Sequence, residues 1–224
     1  MKAYFISHGT YYFRRRFQKK GVCDMAVHFE ESKTKENLMR AFAGESQARN
    51  RYTIAAERAR RAGMDTIAEM FLYTADQERA HAERFYELLK EESGKTIFID
   101  GGYPVDQQEN LADLLKAAEH NEKEEFEEIY PAFAEIAKQE GFFEAASAFL
   151  QIAEIEHVHQ KRFGKVAKML QTNQYYAGEE PEKWICTNCG YIYEGKQAPK
   201  VCPVCRHEQG DFLPYEFAPY RVDS

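Results

Sequence analysis

The chain has 224 residues, 44% of them hydrophobic, enough for one large domain or for a medium domain with a small companion. Its formal net charge of −7 leaves little to attract nucleic acid, and no run of 18 apolar residues offers a transmembrane helix. Neither nucleic acid nor a membrane is therefore an expected partner.

Residues 1–24 stand apart: six Lys/Arg against one Asp give +5 and leave −12 for residues 25–224. "YFISHGTYYF" precedes the basic cluster "RRRFQKK" with no apolar core after it, which excludes a secretory signal. The segment is expected to be disordered and without part in catalysis. Met25, a short way before the first helix, is a candidate alternative start, and a basic targeting arm is the other reading. Cys23 reads as an ordinary free thiol.

A helical period begins near Ser32, a candidate N-cap, and stops at Gly63; a second helix is expected from about Asp65 to Glu92. "TIFIDGGYPVDQQEN" then breaks the period and is long enough to cross the end of a bundle. Two further helices, about Asn110 to Glu140 and about Phe143 to Thr172, flank Gly141. Four helices and one long connection predict a four-helix bundle over residues 25–172. Residues 173–183 read as a linker into a second, small domain at 184–224, where Gly, Pro and aromatic residues replace the helical period.

The bundle is internally duplicated. Residues 52–85 align with 130–163 without a gap and share 13 identities in 34 positions, where unrelated segments share about two. The repeat carries Glu78-x-x-His81 into Glu156-x-x-His159. In a helix that spacing puts carboxylate and imidazole on one face, so each pair is half of a metal site. A single such pair is more often a solvated face. Here the first and third helices add Glu45, Glu122 and Glu125 inside amphipathic patterns, the last two three residues apart. Ferritin-like di-iron and di-manganese proteins carry a similar constellation. His157 points about 100° away from Glu156 and reads as a neighbour of the site or a surface residue.

Cys186-x2-Cys189 and Cys202-x2-Cys205 can close a tetrahedral tetrathiolate site, a pairing that suits a reducing compartment, here taken as the cytoplasm. The spacing alone leaves structural zinc and redox iron open. Trp184, Tyr191 and Tyr193, with "CGY" and "CPVC", resemble rubredoxin and favour iron. Gly190 lets backbone N–H groups approach the sulfurs.

"AFAGESQARNRY", "ADQERAHAERF", "EEIYPAFAEIAKQEGF" and "HQKRF", followed by "CTNCGYIYEG" and "CPVC", together resemble the rubrerythrin family over roughly residues 30–215. The resemblance implies a mainly α fold, a ferritin-like di-iron four-helix bundle followed by a small rubredoxin-like iron-binding domain. It places Glu45, Glu78, Glu122, Glu125, Glu156 and His159 on the iron ligands, with Glu78 and Glu156 bridging. It has His81 exchanging with Glu125 as one iron changes oxidation state, and Tyr52 and Tyr130 hydrogen-bonding the ligating carboxylates. Glu45, Glu78, Glu125, Tyr52 and Tyr130 are then the expected catalytic set.

The implied cofactors are two Fe in the bundle and one Fe held by the four Cys. The implied activity is reduction of hydrogen peroxide to water in oxidative-stress defence, with electrons from rubredoxin or an NAD(P)H-dependent reductase. A homodimer is implied as well, the Cys-bound iron of one subunit lying beside the bundle of the other. The residues agree on stoichiometry: a two-metal site storing two electrons, joined to a one-electron carrier, suits a two-electron oxidant. An oxidase or ferroxidase using dioxygen, and a carrier or iron store without catalysis, remain open at this point.

Overall fold

The computed structural model describes residues 27–222; the expectations for residues 1–24 and Met25 fall outside them. Helix α1 spans Lys33–Arg61 and α2 spans Asp65–Leu88. The Ser32 hydroxyl accepts from the Lys35 N–H at 3.0 Å, and Glu140, from the far hairpin, accepts from the Lys33 and Thr34 N–H groups at 2.9 and 2.8 Å. These anionic and neutral acceptors satisfy donors that the first helical turn leaves open.

Gly63, at φ +68°, ends α1: its N–H bonds the Arg60 carbonyl while the Met64 N–H reaches back to Ala59. Gly141, its partner in the repeat, does the same at φ +88°, with Gly141 N–H on Lys138 and Phe142 N–H on Ala137. Both stops need a left-handed residue, which glycine adopts without steric cost.

The third bundle helix comprises α3 (Leu111–Glu124), one π-helical turn (Glu125–Ile129) and α4 (Tyr130–Glu140). Pro131, at the start of α4, has no N–H to continue an α ladder, and the wider turn absorbs the break. Helix α5 spans Phe143–Gln171. The hairpins α1–α2 and α3/α4–α5 pack with an apolar core on either side of the bundle's middle. In one, Tyr52 lies 5.9 Å from Phe71 and 5.1 Å from Phe163; in the other, Tyr130 lies 5.9 Å from Phe149 and 5.5 Å from Phe85. Each core thus takes two rings from one repeat and one from the other, so neither hairpin can bury its aromatic face alone.

Between α2 and α3 the chain runs extended along α1. Arg40 donates to the Asp100 carbonyl at 3.0 Å, Arg51 to Asp106 at 2.8 Å and Arg58 to the Gln108 carbonyl at 2.8 Å.

The C-terminal module is a three-stranded antiparallel sheet of β1 (Ala177–Cys186), β2 (Ile192–Gln197) and β3 (Phe212–Pro214), with β1 central. Strand β1 therefore begins inside the stretch read from sequence as a connection. Trp184 and Phe212 are fully buried with Cys186 and Cys202, and the indole N–H donates to the Tyr175 carbonyl at 3.0 Å. The module rests on the first turn of α2, where Thr66 Oγ1 and Tyr175 Oη are 3.0 Å apart.

Candidate metal centres

Glu45 projects inward from α1, Glu78 and His81 from α2, Glu122 from α3, and Glu156 and His159 from α5. All six are buried, His81 being the most exposed at 6%. His81 Nδ1 lies 2.9 Å from Glu156 Oε1, 3.3 Å from Glu78 Oε2 and 3.6 Å from Glu45 Oε2. His159 Nδ1 lies 2.7 Å from Glu156 Oε2, 3.0 Å from Glu78 Oε1 and 3.3 Å from Glu122 Oε2. Two sets of four donors result, Glu45–Glu78–His81–Glu156 and Glu78–Glu122–Glu156–His159. Glu78 and Glu156 give one oxygen to each set, which is the geometry of bridging carboxylates.

Eight of these converging atoms make no hydrogen bond: Glu45 Oε2, both oxygens of Glu78 and Glu156, Glu122 Oε2, and Nδ1 of His81 and His159. Leaving a buried polar atom unpaired costs about 1–3 kcal/mol, so an arrangement of eight points to cations rather than to internal pairing. The electrostatics agree. Burial pushes the Glu45 carboxyl up to about 8 and the Glu122 and Glu125 carboxyls well above their usual range. Burial also opposes the imidazolium charges, yet the surrounding carboxylates overcome it, pushing His159 up to about 12 and His81 well up too. The pocket binds protons where it lacks metal ions. Carboxylate and imidazole donors around two shared bridges fit a pair of iron ions.

Of the two residues that the resemblance has exchanging, His81 occupies the position beside Glu45, and Glu125 sits on the π turn, half-buried, outside both four-donor sets. The tyrosines cross between repeats: Tyr52 Oη donates to Glu122 Oε1, and Tyr130 Oη donates to Glu45 Oε1. Each phenol fixes one carboxylate oxygen and leaves the second aimed at the cation position. His157 lies outside the donor sets and packs on the Phe126 ring at 4.1 Å.

Sequence reasoning missed Gln77 and Arg162. Gln77 Oε1 stands 3.1 Å from His159 Nε2 and fixes that ring, and Arg162, 3.0 Å from Thr74 Oγ1, backs Gln77 at 3.4 Å. His81 has no equivalent tether among the described residues. Arg162 was findable, because the repeat pairs it with Arg84, three residues after each histidine.

In the C-terminal module Cys186 Sγ lies 3.6 Å from Cys205 Sγ, and Cys189 Sγ lies 3.7 Å from Cys202 Sγ. Four sulfurs at about 2.3 Å from one ion would be about 3.8 Å apart, and a disulfide would need about 2.05 Å. Backbone N–H groups of Asn188 and Cys189 point at Cys186, that of Tyr191 at Cys189 and that of His207 at Cys205; the last brings the Cys205 thiol down to about 6, whereas burial outweighs the donors at Cys186, pushed up to about 12, and Cys189 is raised as well. Such donors stabilise thiolates and tune a bound iron.

Residues 36–168 match the rubrerythrin family, and residues 184–212 match the rubredoxin-like domain of rubrerythrin. The rubrerythrin of Clostridium perfringens is 44% identical over 182 residues, covering 81% of this chain and 93% of that protein. The rubrerythrin of Nitratidesulfovibrio vulgaris is 40% identical over 181 residues, covering 81% and 93%. A solved structure of nigerythrin in its partially reduced state superposes with a TM-score of 0.56 at 30% identity, over 87% of this chain and 90% of that one. Bacterioferritin from Desulfovibrio desulfuricans, at 24% identity, shares the fold with a TM-score of 0.57 over 63% of this chain and 82% of that one.

Proposed function

Because the chain belongs to the rubrerythrin family, we propose that it is a non-haem di-iron peroxidase, reducing hydrogen peroxide to two waters in oxidative-stress defence. The observation that carries this reading is the division of Glu78 and Glu156 between two donor sets, because two cations on shared carboxylates hold the two electrons one peroxide needs. Glu45, Glu78, His81 and Glu156 are assigned to one iron, Glu78, Glu122, Glu156 and His159 to the other, with Glu125 held beside the first. When bound, the iron pair would supply those two electrons for breaking the O–O bond.

The chain's own residues balance charge and protons. Four carboxylates and two neutral imidazoles neutralise two ferrous ions, which a buried site requires. Burial and the adjacent carboxylates push the Tyr52 and Tyr130 phenols well above their usual range, so both stay protonated and hold Glu122 and Glu45 in place. The reduction consumes two protons. Glu125, whose carboxyl is pushed well above its usual range by desolvation and by the neighbouring Glu45, and Tyr130 line one cavity and are the proton-handling groups assigned to it.

The four-cysteine iron, held by Cys186, Cys189, Cys202 and Cys205, is assigned to electron delivery from rubredoxin or an NAD(P)H-dependent reductase in the cytoplasm. The module rests at Thr66, twelve residues before Glu78 and so about 18 Å away along α2. The proposal includes a homodimer, each module serving the bundle of the other subunit, and exposed Leu150, Ile155 and Val158 give α5 apolar side chains available for such a contact. No helix among the described residues is long and apolar enough to cross a membrane.

The test is rapid mixing of reduced, iron-loaded protein with peroxide and, separately, with dioxygen. Peroxide should reoxidise it faster, and elemental analysis should find about three irons per chain, as the two ligand sets can hold. Faster reoxidation by dioxygen, or zinc in the cysteine module with an iron-free bundle, would sink the peroxidase reading.

A further inference from the structure

The connection between α2 and α3 runs along α1 like a strap. From Arg40 to Arg58 the helix rises about 27 Å, and from Asp100 to Gln108 an extended chain covers about 26 Å. The two lengths match, so Arg40, Arg51 and Arg58 can each hold the strap at its own point. Asp106 is clamped twice, by Arg51 at 2.8 Å and by Asn121 of α3 at 2.8 Å.

Beneath the strap lies a cavity of about 270 Å³, lined among others by Gly44, Gly101, Gly102, Tyr103, Glu125 and Tyr130. Its outer wall is exposed: Gly101, Gly102 and Tyr103 face solvent, Tyr103 at 40%. Its inner wall is Glu125 and Tyr130, whose phenol bonds Glu45. Glu45, Glu78, His81, Glu122, Glu156 and His159 are all at or below 6% exposure, whereas Glu125 is half-buried and faces this cavity. The metal centre therefore meets solvent space here.

Resting on the peroxidase reading, we infer that this cavity is the channel by which hydrogen peroxide reaches Glu125, and that Tyr103 is the sieve restricting it to small hydroperoxides. A water needs only about 10–15 Å³ of such space, so the cavity is ample for hydrogen peroxide. At this mouth a hydroperoxide with an aromatic tail meets the Tyr103 ring, which is anchored by its hydroxyl on the Arg40 carbonyl at 3.2 Å and stands 3.8 Å from where a side-chain carbon at Gly44 would lie. Hydrogen peroxide is uncharged, so selection at this mouth is by size.

Two measurements test the channel on the full chain. In the first, reduced, iron-loaded protein is mixed with hydrogen peroxide or cumene hydroperoxide. Tyr103→Ala should raise the cumene rate relative to the hydrogen peroxide rate about tenfold, the scale of discrimination a pocket wall supplies, and Tyr103→Trp should slow both. In the second, metal-free protein is treated with a water-soluble carbodiimide and a small amine, and labelled carboxyls are mapped by mass spectrometry. Glu125 should be labelled before Glu45, Glu78, Glu122 and Glu156, faster in Tyr103→Ala and slower in Tyr103→Trp. If peroxide reoxidises every variant but neither the rate ratio nor the labelling depends on residue 103, the channel is overturned. If peroxide fails to reoxidise even the unaltered protein, the peroxidase reading falls and the channel's substrate with it, whatever the labelling pattern.

Discussion

Replacing Gln77 with Leu removes the partner of His159 Nε2 while keeping the side chain's size and the helix around it. The bond is 3.1 Å long and partly buried, so its direct worth is about 1 kcal/mol. Its larger effect is on orientation, because Nδ1 of the same ring points into the donor set and a freely turning ring loses its aim. Outer partners of metal-bound histidines are worth about 10–100-fold in affinity, or roughly 1.4–2.7 kcal/mol. The loss should fall on one cation alone, since His81 has no such tether among the described residues. Anaerobic titration of metal-free protein with cobalt(II), followed by its ligand-field absorption, resolves two bundle sites. Gln77→Leu should weaken one of them about 10–100-fold, leaving the other and the cysteine site as they were. Gln77→Glu, which puts a carboxylate on the ring, should restore or exceed the original affinity. If Gln77→Leu leaves both bundle affinities within about twofold, a difference under ~0.5 kcal/mol, the tether has no positioning role.

Cys186→Ser should abolish the absorption of the thiolate iron, preserve a single reduction of peroxide by pre-reduced protein, and stop repeated turnover with a reductase; normal turnover would show that electrons bypass the module. Gly210→Val should lift the module off the bundle, because a side-chain carbon at Gly210 runs into the Gly63 carbonyl and comes within 2.9 Å of Asp65 Oδ2. Limited proteolysis near residues 172–176 should then accelerate while metal uptake by the bundle stays unchanged. Metal-free protein should lose thermal stability as pH rises from about 4.5 to about 8, since the folded Glu45 carboxyl, raised from 4.5 to about 8, holds a proton that the unfolded chain has released. That contribution is fully present below the window. Thermal melts across this range should show the decline without metal and the opposite trend with metal bound, because cations hold the carboxylates and imidazoles deprotonated in the folded chain alone.

Much of the molecule could be read along the chain because it is local or repeated. Helix periods, the Gly63 and Gly141 stops, Glu-x-x-His twice and Cys-x2-Cys twice depend on spacings of a few residues, which a helix or a tight knuckle turns into a shared face. One further signal was present and went unread. The repeat identities are 78 residues apart, but Glu45 and Glu122 are 77 apart, and the additional residue before Tyr130 is absorbed by the π turn that carries Glu125.

What only the tertiary structure decided are the contacts that cross between elements. Tyr52 meets Glu122 and Tyr130 meets Glu45, each reaching into the opposite hairpin; Gln77 reaches His159 from α2 to α5; and the strap finds its three arginines on α1. None of these follows from periodicity, which says which face of a helix turns inward but not which residue of another helix lies at the same height. That height is fixed by how the aromatic rings of the two hairpins interlock on either side of the site, because a close-packed core admits few alternative registers. The same packing turns carboxylates and imidazoles scattered over four helices into two donor sets with shared bridges.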